Sequence, residues 1–254
     1  MEDIVYKEFL ELEEEHWWFQ GRRAIFISLL DRFCERGNAA GRRVMDVGCG
    51  VGGMLTQLEE YGLTIGTDVV FKGLECCAQR GYSRLVASHA PASPFLDGSF
   101  DCITAFDALE HIEDDVGTMR EIFRMLKPGG ILIASGPAYN FLFSQQDRNA
   151  HHLRRYTLGE ITGKARSVGF EIEKASHINF LLFPVILPVV LLLHLRYVWN
   201  PKAGNPDGGS NIGIGIPKWL NALLAAVFRS EAKILRFVSI PAGHSLVMVA
   251  RKPL

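Results

Sequence analysis

The pattern of the chain predicts an α/β fold built on a mostly parallel sheet with helices on both faces, and three observations carry that prediction. Short apolar runs alternate with stretches of helical spacing from residue 44 onward, the order that joins parallel strands through helical crossovers. The first run, Val44 to Val47, opens into glycines at 48, 50, 52 and 53 before a helical pattern begins at Met54-Leu55. The second run ends in an acid, Asp68, about 20 residues after that turn, as in open sheets whose ligands sit beyond the carboxyl ends of the strands.

Taken in order, apolar positions at Ile4, Val5, Phe9 and Leu12, then Ile25, Leu29, Leu30 and Phe33, put helices over residues 2–34. Gly21 reads as a break between two of them. After the strand at Val44, residues 64–69 form a strand, 71–80 a helix, 84–87 a strand and 100–106 a buried strand. Acids in the first turn and Lys127-Pro128-Gly129-Gly130 at the end delimit a helix over 114–126. A strand at 131–135, a helix over 157–168 stopped by Gly169, a strand at 171–178 and a last strand at 246–250 complete the order. The last two strands are separated by far more chain than such a connection needs.

Lys and Arg number 27 against 28 Asp and Glu, for a net charge of -1, which argues against a nucleic-acid-binding surface. The five cysteines, at 34, 49, 76, 77 and 102, form no Cys-x-x-Cys and several lie in apolar runs. They read as small hydrophobes in a reducing compartment, with neither disulfides nor zinc. The N-terminus lacks the basic and apolar regions of a signal peptide.

The glycine turn also satisfies Gly-x-Gly-x-x-Gly through Gly48, Gly50 and Gly53, the dinucleotide fingerprint. Asp46 separates the two readings. A pyrophosphate sits well at a helix N-terminus, and a carboxylate two residues before the first glycine works against it. That carboxylate suits a ligand with positive charge, such as the sulfonium and ammonium of S-adenosylmethionine. With Asp-x-Gly-x-Gly in this position, the chain resembles class I S-adenosylmethionine-dependent methyltransferases, of the type 11 and 12 kind. The resemblance implies a Rossmann-like sheet of seven strands with the last antiparallel. It is also carried by the Pro94-Phe95-Leu96-Asp97-Gly98-Ser99-Phe100-Asp101 segment, by Asp107-Ala108-Leu109-Glu110-His111, and by Lys127 to Gly130.

For the cofactor, S-adenosylmethionine, the residues expected to bind are Asp46, Gly48, Gly50, Asp68, Val69, His89, Ala90, Phe106, Trp18 and Arg22. Asp68 can accept from both ribose hydroxyls. His89 stands where the family usually has an acid near the adenine amine, and Ala90 would offer its N–H there. Trp18 and Arg22 belong to His16-Trp17-Trp18-Phe19-Gln20-Gly21-Arg22, similar to a stretch found in a subset of the family; an aromatic lid or plain packing on the domain would both explain it. An oxygen nucleophile often needs its proton removed, and histidine is the usual base. His111, His152 and Tyr156 are the catalytic candidates, with Glu110, Arg154 and Arg155 expected at the substrate. The alternatives are capping or packing for His111 and solvated arginines before a helix capped by Thr157. The histidine spacing suggests no metal site.

Residues 178–195 carry no formal charge and include Phe180 to Phe183, Val185 to Leu187 and Val189 to Leu193, interrupted by Pro184 and Pro188. Two prolines disfavour a straight membrane span. A helix or helical hairpin dipping into one leaflet, a greasy gate, a buried cap and a dimer interface are the readings, with a second helix over 217–237. The expected organisation is an N-terminal helical cap (1–40), a cofactor-binding core (41–180), an apolar helical insertion (181–240) and the last strand of the core (241–254). The expected activity is methyl transfer to oxygen of a lipid-linked, isoprenoid or other apolar acceptor, in the cytoplasm and peripheral on the inner face of a membrane. One alternative is a soluble sugar or small acid with the insertion as a homodimer interface. Another is a non-catalytic module that binds the cofactor.

Overall fold

The computed structural model describes residues 10, 12–37, 41–199 and 215–254, and for 193–199 the backbone alone. Its strands are β1 (Arg43–Val47), β2 (Leu63–Asp68), β3 (Leu85–Ala87), β4 (Phe100–Phe106), β5 (Leu126–Pro137), β6 (Glu171–Ile178) and β7 (Ser245–Arg251). They form one sheet in the order β3-β2-β1-β4-β5-β7-β6. β7 runs antiparallel to both neighbours, while β1 to β5 are parallel. The predicted α/β sheet, with its last strand reversed, is the one observed. β5 is longer than the sequence pattern suggested: Leu126 already pairs with Phe100, and the Lys-Pro-Gly-Gly segment bulges before the register resumes at Ile131 opposite Cys102.

The helices are α1 (Trp17–Phe33), α2 (Leu55–Leu58), α3 (Phe71–Gln79), α4 (Asp115–Met125), α5 (Gln145–Asn149), α6 (Leu158–Val168), α7 (Phe183–Trp199) and α8 (Lys218–Leu235). On one face of the sheet, Met119, Ile122 and Met125 of α4 and Ile161 and Ala165 of α6 pack with Ile103, Leu132 and Met248. Ile25, Phe26, Leu29 and Leu30 of α1 and Phe228 and Leu235 of α8 cover the other, against Val44, Ile133, Val247 and Val249. Each such large side chain, taken fully out of water, contributes about 1.5–3 kcal/mol. Local chemistry agrees with the packing. Asp114 caps α4 through the Gly117 N–H at 2.7 Å. A Thr157–Glu160 capping box opens α6, and Gly169 closes it in the left-handed region.

One expectation needs correction. Gly21 does not break a helix: α1 runs from Trp17 to Phe33 without interruption. A Cβ at Gly21 would clash with the Phe228 side chain, so this glycine lets α8 approach. The chain turns earlier, over residues 13–16, and the helix expected before that lies almost entirely outside the described residues. Of the helix and the helical hairpin expected for the apolar segment, the structure shows a single helix. Pro184 sits in the first turn of α7, where its missing N–H is not needed, and only Pro188 is interior.

Candidate active site

The glycine turn is built by the end of β1. Gly48 and Gly50 have φ of 71° and 55°, a region open to glycine and costly for residues with a Cβ. The amides of Gly48 and Cys49 donate to the Thr67 carbonyl at 2.8 and 3.0 Å, tying the loop to β2. A Cβ at Gly48 would meet that of Ala108 at 2.7 Å, whereas no atom lies within 4 Å of the corresponding point at Gly50. The turn is thus closed toward β4 and leaves backbone exposed for a ligand. Asp68 adjoins it: one carboxylate oxygen accepts the Gly50 N–H at 2.9 Å and the other the Val70 N–H at 2.8 Å. Each oxygen keeps acceptor capacity for a vicinal diol. Asp46 is buried and accepts the Thr104 hydroxyl at 2.6 Å. Burial pushes it up to about 7, the Thr104 hydrogen bond opposes that rise, and the nearby Asp68 charge adds to it. An open glycine cradle, a diol acceptor and two close acids fit a cationic adenosyl ligand.

The rest of the expected cofactor set divides. Val69 and His89 are exposed beside this turn, and Ala90 opens the short 3-10 turn after His89. Phe106 is stacked on Phe26 of α1, with centroids 3.9 Å apart and planes 8° apart. Trp18 and Arg22 are placed by the ends of β4, β5 and β7. Trp18 packs edge-on to His244 at 5.6 Å and 5.6 Å from Phe228. The Arg22 guanidinium lies over the Trp18 and Phe26 rings and is ion-paired with Asp107. Asp107 in turn accepts the Ser135 hydroxyl at 2.9 Å. Burial lowers the Arg22 pKa to about 10, opposed by nearby Glu110, so it stays charged at neutral pH. Sequence reasoning passed over Asp107 and Ser135 as functional residues. The Asp-x-x-Glu-His spacing was the available clue for Asp107; Ser135 had none.

Glu110 and His111 occupy a 3-10 turn after β4, and His152 stands on the loop after α5. The two loops are joined by the Leu153 N–H donating to the Glu110 carbonyl at 2.9 Å. Glu110 is fully buried, and neither of its carboxylate oxygens is hydrogen-bonded to another residue. Burial pushes it up to about 8, against the pull of its own backbone N–H and then of Arg22 and Arg155. Burial likewise lowers His111 to about 4, with His152 the next contributor. The His111 and His152 rings meet edge to face at 4.8 Å. His152 Nδ1 is 2.9 Å from Asp147, a buried carboxylate gripped by Arg155 through both oxygens at 2.8 and 2.9 Å. His152 and Arg155 hold Asp147 far below the usual carboxylate range, overcoming its burial.

Two expectations are revised here. Arg155 is buried and spends its charge on Asp147, and Arg154 pairs with Asp115 at 2.9 Å; neither guanidinium is free for a substrate anion. The Tyr156 side chain is buried, its hydroxyl donating to Asp115 at 2.8 Å and lying 3.1 Å from the Leu109 carbonyl. Burial, then Asp115, raise its pKa well beyond the ordinary phenol, so Tyr156 holds the β4 loop in place. Glu110, His111 and His152 each bring one donor atom within 4.8 Å of the others. Asp147, His177, Asn179 and His244 were not anticipated. His177 and Asn179 are buried with side-chain polar atoms unpartnered, as is Nδ1 of His244. They gather at the strand ends only because β6 and β7 lie side by side, which no local pattern announces.

Residues 45–134 match the family model described as a methyltransferase domain. A probable S-adenosylmethionine-dependent methyltransferase of Mycolicibacterium smegmatis is 29% identical over 174 residues, 64% of this chain and 62% of that protein. A ubiquinone biosynthesis O-methyltransferase of Xanthomonas oryzae pv. oryzae is 35% identical over 116 residues, 42% of this chain and 47% of that protein. The chain therefore spans less than two thirds of either relative. Among solved structures, Haemonchus contortus phosphoethanolamine N-methyltransferase 2 in complex with S-adenosyl-L-methionine superposes with a TM-score of 0.56 at 18% identity, covering 98% of this chain and 60% of that one. At that identity the likeness is one of fold.

Proposed function

We propose that this chain, which belongs to the class I S-adenosylmethionine-dependent methyltransferases, transfers a methyl group to an oxygen of an apolar acceptor, lipid-linked or isoprenoid, that arrives from a membrane surface. The cofactor would be held by the Gly48–Gly50 backbone and by Asp68 at its ribose, with the negative charge of Asp46 favouring its cationic end. Bound there, S-adenosylmethionine supplies an electrophilic methyl carbon on a sulfonium. The chain's own part is to align the acceptor oxygen and keep water out. Alignment alone supplies roughly 7–11 kcal/mol in the best intramolecular cases. Glu110, His111 and His152 offer a hydroxyl polar partners on the acceptor side.

The observation that carries the apolar acceptor is continuity between this site and an exposed greasy face. α7 starts directly beyond the end of β6, and its first residue, Phe183, lies 6.1 Å from Tyr139, which stacks on His177 at 5.0 Å. From there Val185, Val189 and Leu192 follow at helical spacing, 67%, 51% and 65% exposed. On α8, Trp219 and Leu223 are also exposed, with Arg229, Lys233 and Arg236 further along. Apolar surface of this kind calls for a partner. Among the described residues no helix is long and apolar enough to cross a membrane, so the contact envisaged is peripheral.

Flotation on vesicles of phosphatidylethanolamine and phosphatidylglycerol tests the reading. The protein is expected to float with the vesicles, and a Val189→Asp/Leu192→Asp variant to stay behind while still binding the cofactor. A wild-type protein that ignores vesicles and runs as a dimer, made monomeric by the same substitutions, would replace the membrane with a second subunit and favour a soluble acceptor.

A further inference from the structure

We infer that Glu110, His111 and His152 form a binding site for a divalent transition metal of the zinc class. One donor atom from each residue lies within 4.8 Å of the others. Donors on a tetrahedral zinc stand about 3.4 Å apart, given bonds near 2.1 Å, so small side-chain rotations close the set. Two histidine nitrogens and one carboxylate oxygen are donors that zinc, cobalt(II) and iron(II) accept.

The second observation is Glu110 itself. It is fully buried, and neither oxygen is hydrogen-bonded to another residue, which is rare for a buried carboxylate unless an ion satisfies it. The neighbouring cations do not bond to it: Arg22 pairs with Asp107 and Arg155 with Asp147. Against those two arginines stand the carboxyl groups of Asp107, Asp147 and Glu110.

The third observation is the state of the two imidazoles. His152 Nδ1 lies 2.9 Å from an Asp147 carboxylate oxygen, and His111 Nδ1 lies 3.3 Å from the His151 carbonyl. Both partners only accept, so each Nδ1 donates, which leaves Nε2 as the ring nitrogen available to a metal. A ligating histidine steadied through its other nitrogen by a carboxylate or carbonyl is the usual outer-sphere arrangement of metal sites. The geometry thus makes Asp147 a positioning residue for His152. Three protein ligands leave a further position open. The metal site rests on these side chains alone; assigning the open position to the acceptor oxygen, whose pKa a metal would lower, rests on the methyl-transfer reading.

The test uses the full chain, stripped with chelator and titrated with cobalt(II), then zinc(II). Expected are visible d–d bands saturating at one cobalt per chain with no sulfur-to-metal charge-transfer band, and displacement by zinc. Glu110→Gln and His111→Ala, each verified as folded by circular dichroism, should weaken zinc binding at least 10-fold by calorimetry. Asp147→Asn should weaken it about 10- to 100-fold. Absence of d–d bands in the wild type, a thiolate charge-transfer band, or zinc affinity unchanged in both Glu110→Gln and His111→Ala would overturn the site. None of these readouts depends on methyl transfer, so failure of the metal site and failure of the acceptor reading are told apart.

Discussion

Asp46 concentrates two demands in one carboxyl. Its place at the end of β1 buries it, with the Thr104 hydroxyl as its hydrogen-bond donor, and burial lifts it to about 7 from the ordinary 3.8 of an aspartate. Between those values the folded chain holds a proton that the unfolded chain has released. Stability therefore falls as pH rises toward 7, and above 7 the full cost of the buried charge is present. Asp46→Asn should flatten that fall, and melting curves of both proteins between pH 5 and 8 measure it. The upper bound on the difference is about 4 kcal/mol at 1.36 kcal/mol per pKa unit. A bound cation should restore what ionisation costs, so the thermal shift given by S-adenosylmethionine should grow with pH in the wild type and less so in the variant. Equal pH slopes for the two proteins would remove the argument that Asp46 selects for positive charge.

At the level of elements, the site depends on how α1 and α8 meet. Gly21 lets the Phe228 ring lie against the α1 backbone. Asn221 of α8 accepts the Trp17 N–H at 2.9 Å and donates to the Glu15 carbonyl at 2.7 Å, so α8 caps the start of α1. Trp18 and Arg22, one turn apart, are thereby fixed at the strand ends. Gly21→Ala should cost about 1–3 kcal/mol through overpacking, read as a lower melting temperature, since Phe228 is fully buried and has little room to yield. Glu231 of α8 adds a second anchor, accepting the N–H groups of Asn179 and Leu181 at 2.7 and 2.9 Å. That grip fixes the turn from β6 into α7, where Asn179 has φ of 60°.

For the whole molecule, ligand binding to the folded state alone shifts its stability. S-adenosylmethionine at 100 times its Kd should stabilise the chain by about 2.7 kcal/mol, or roughly 5–10 °C in Tm for a domain of this size. A nicotinamide dinucleotide at the same concentration should produce no shift, and the reverse pattern in a thermal-shift assay would withdraw the cofactor assignment. The two halves of the site were not equally legible beforehand. Asp46, Gly48, Gly50 and Asp68 could be read because a strand, a tight turn and a strand-end acid lie within one βαβ unit, where sequence spacing and spatial distance are nearly the same thing. Glu110 and His111 could be found as neighbours in a motif, but not the carboxylate's burial or its lack of partners.

Arg155 and Tyr156 were misread because their partners, Asp147 and Asp115, are set by loop packing that residue type does not reveal. Gly21 was misread because a glycine that admits a ring from a distant helix looks, in one dimension, like one that breaks its own. The amino-acid sequence by itself determined the α/β class, the order of elements and the cofactor turn, since alternating periodicity and local backbone freedom act over a few residues. Only the tertiary structure decided which polar groups converge at the ends of β4 to β7. That convergence joins residues 110, 152, 179 and 244, brought together by burial and sheet order rather than by any spacing along the chain.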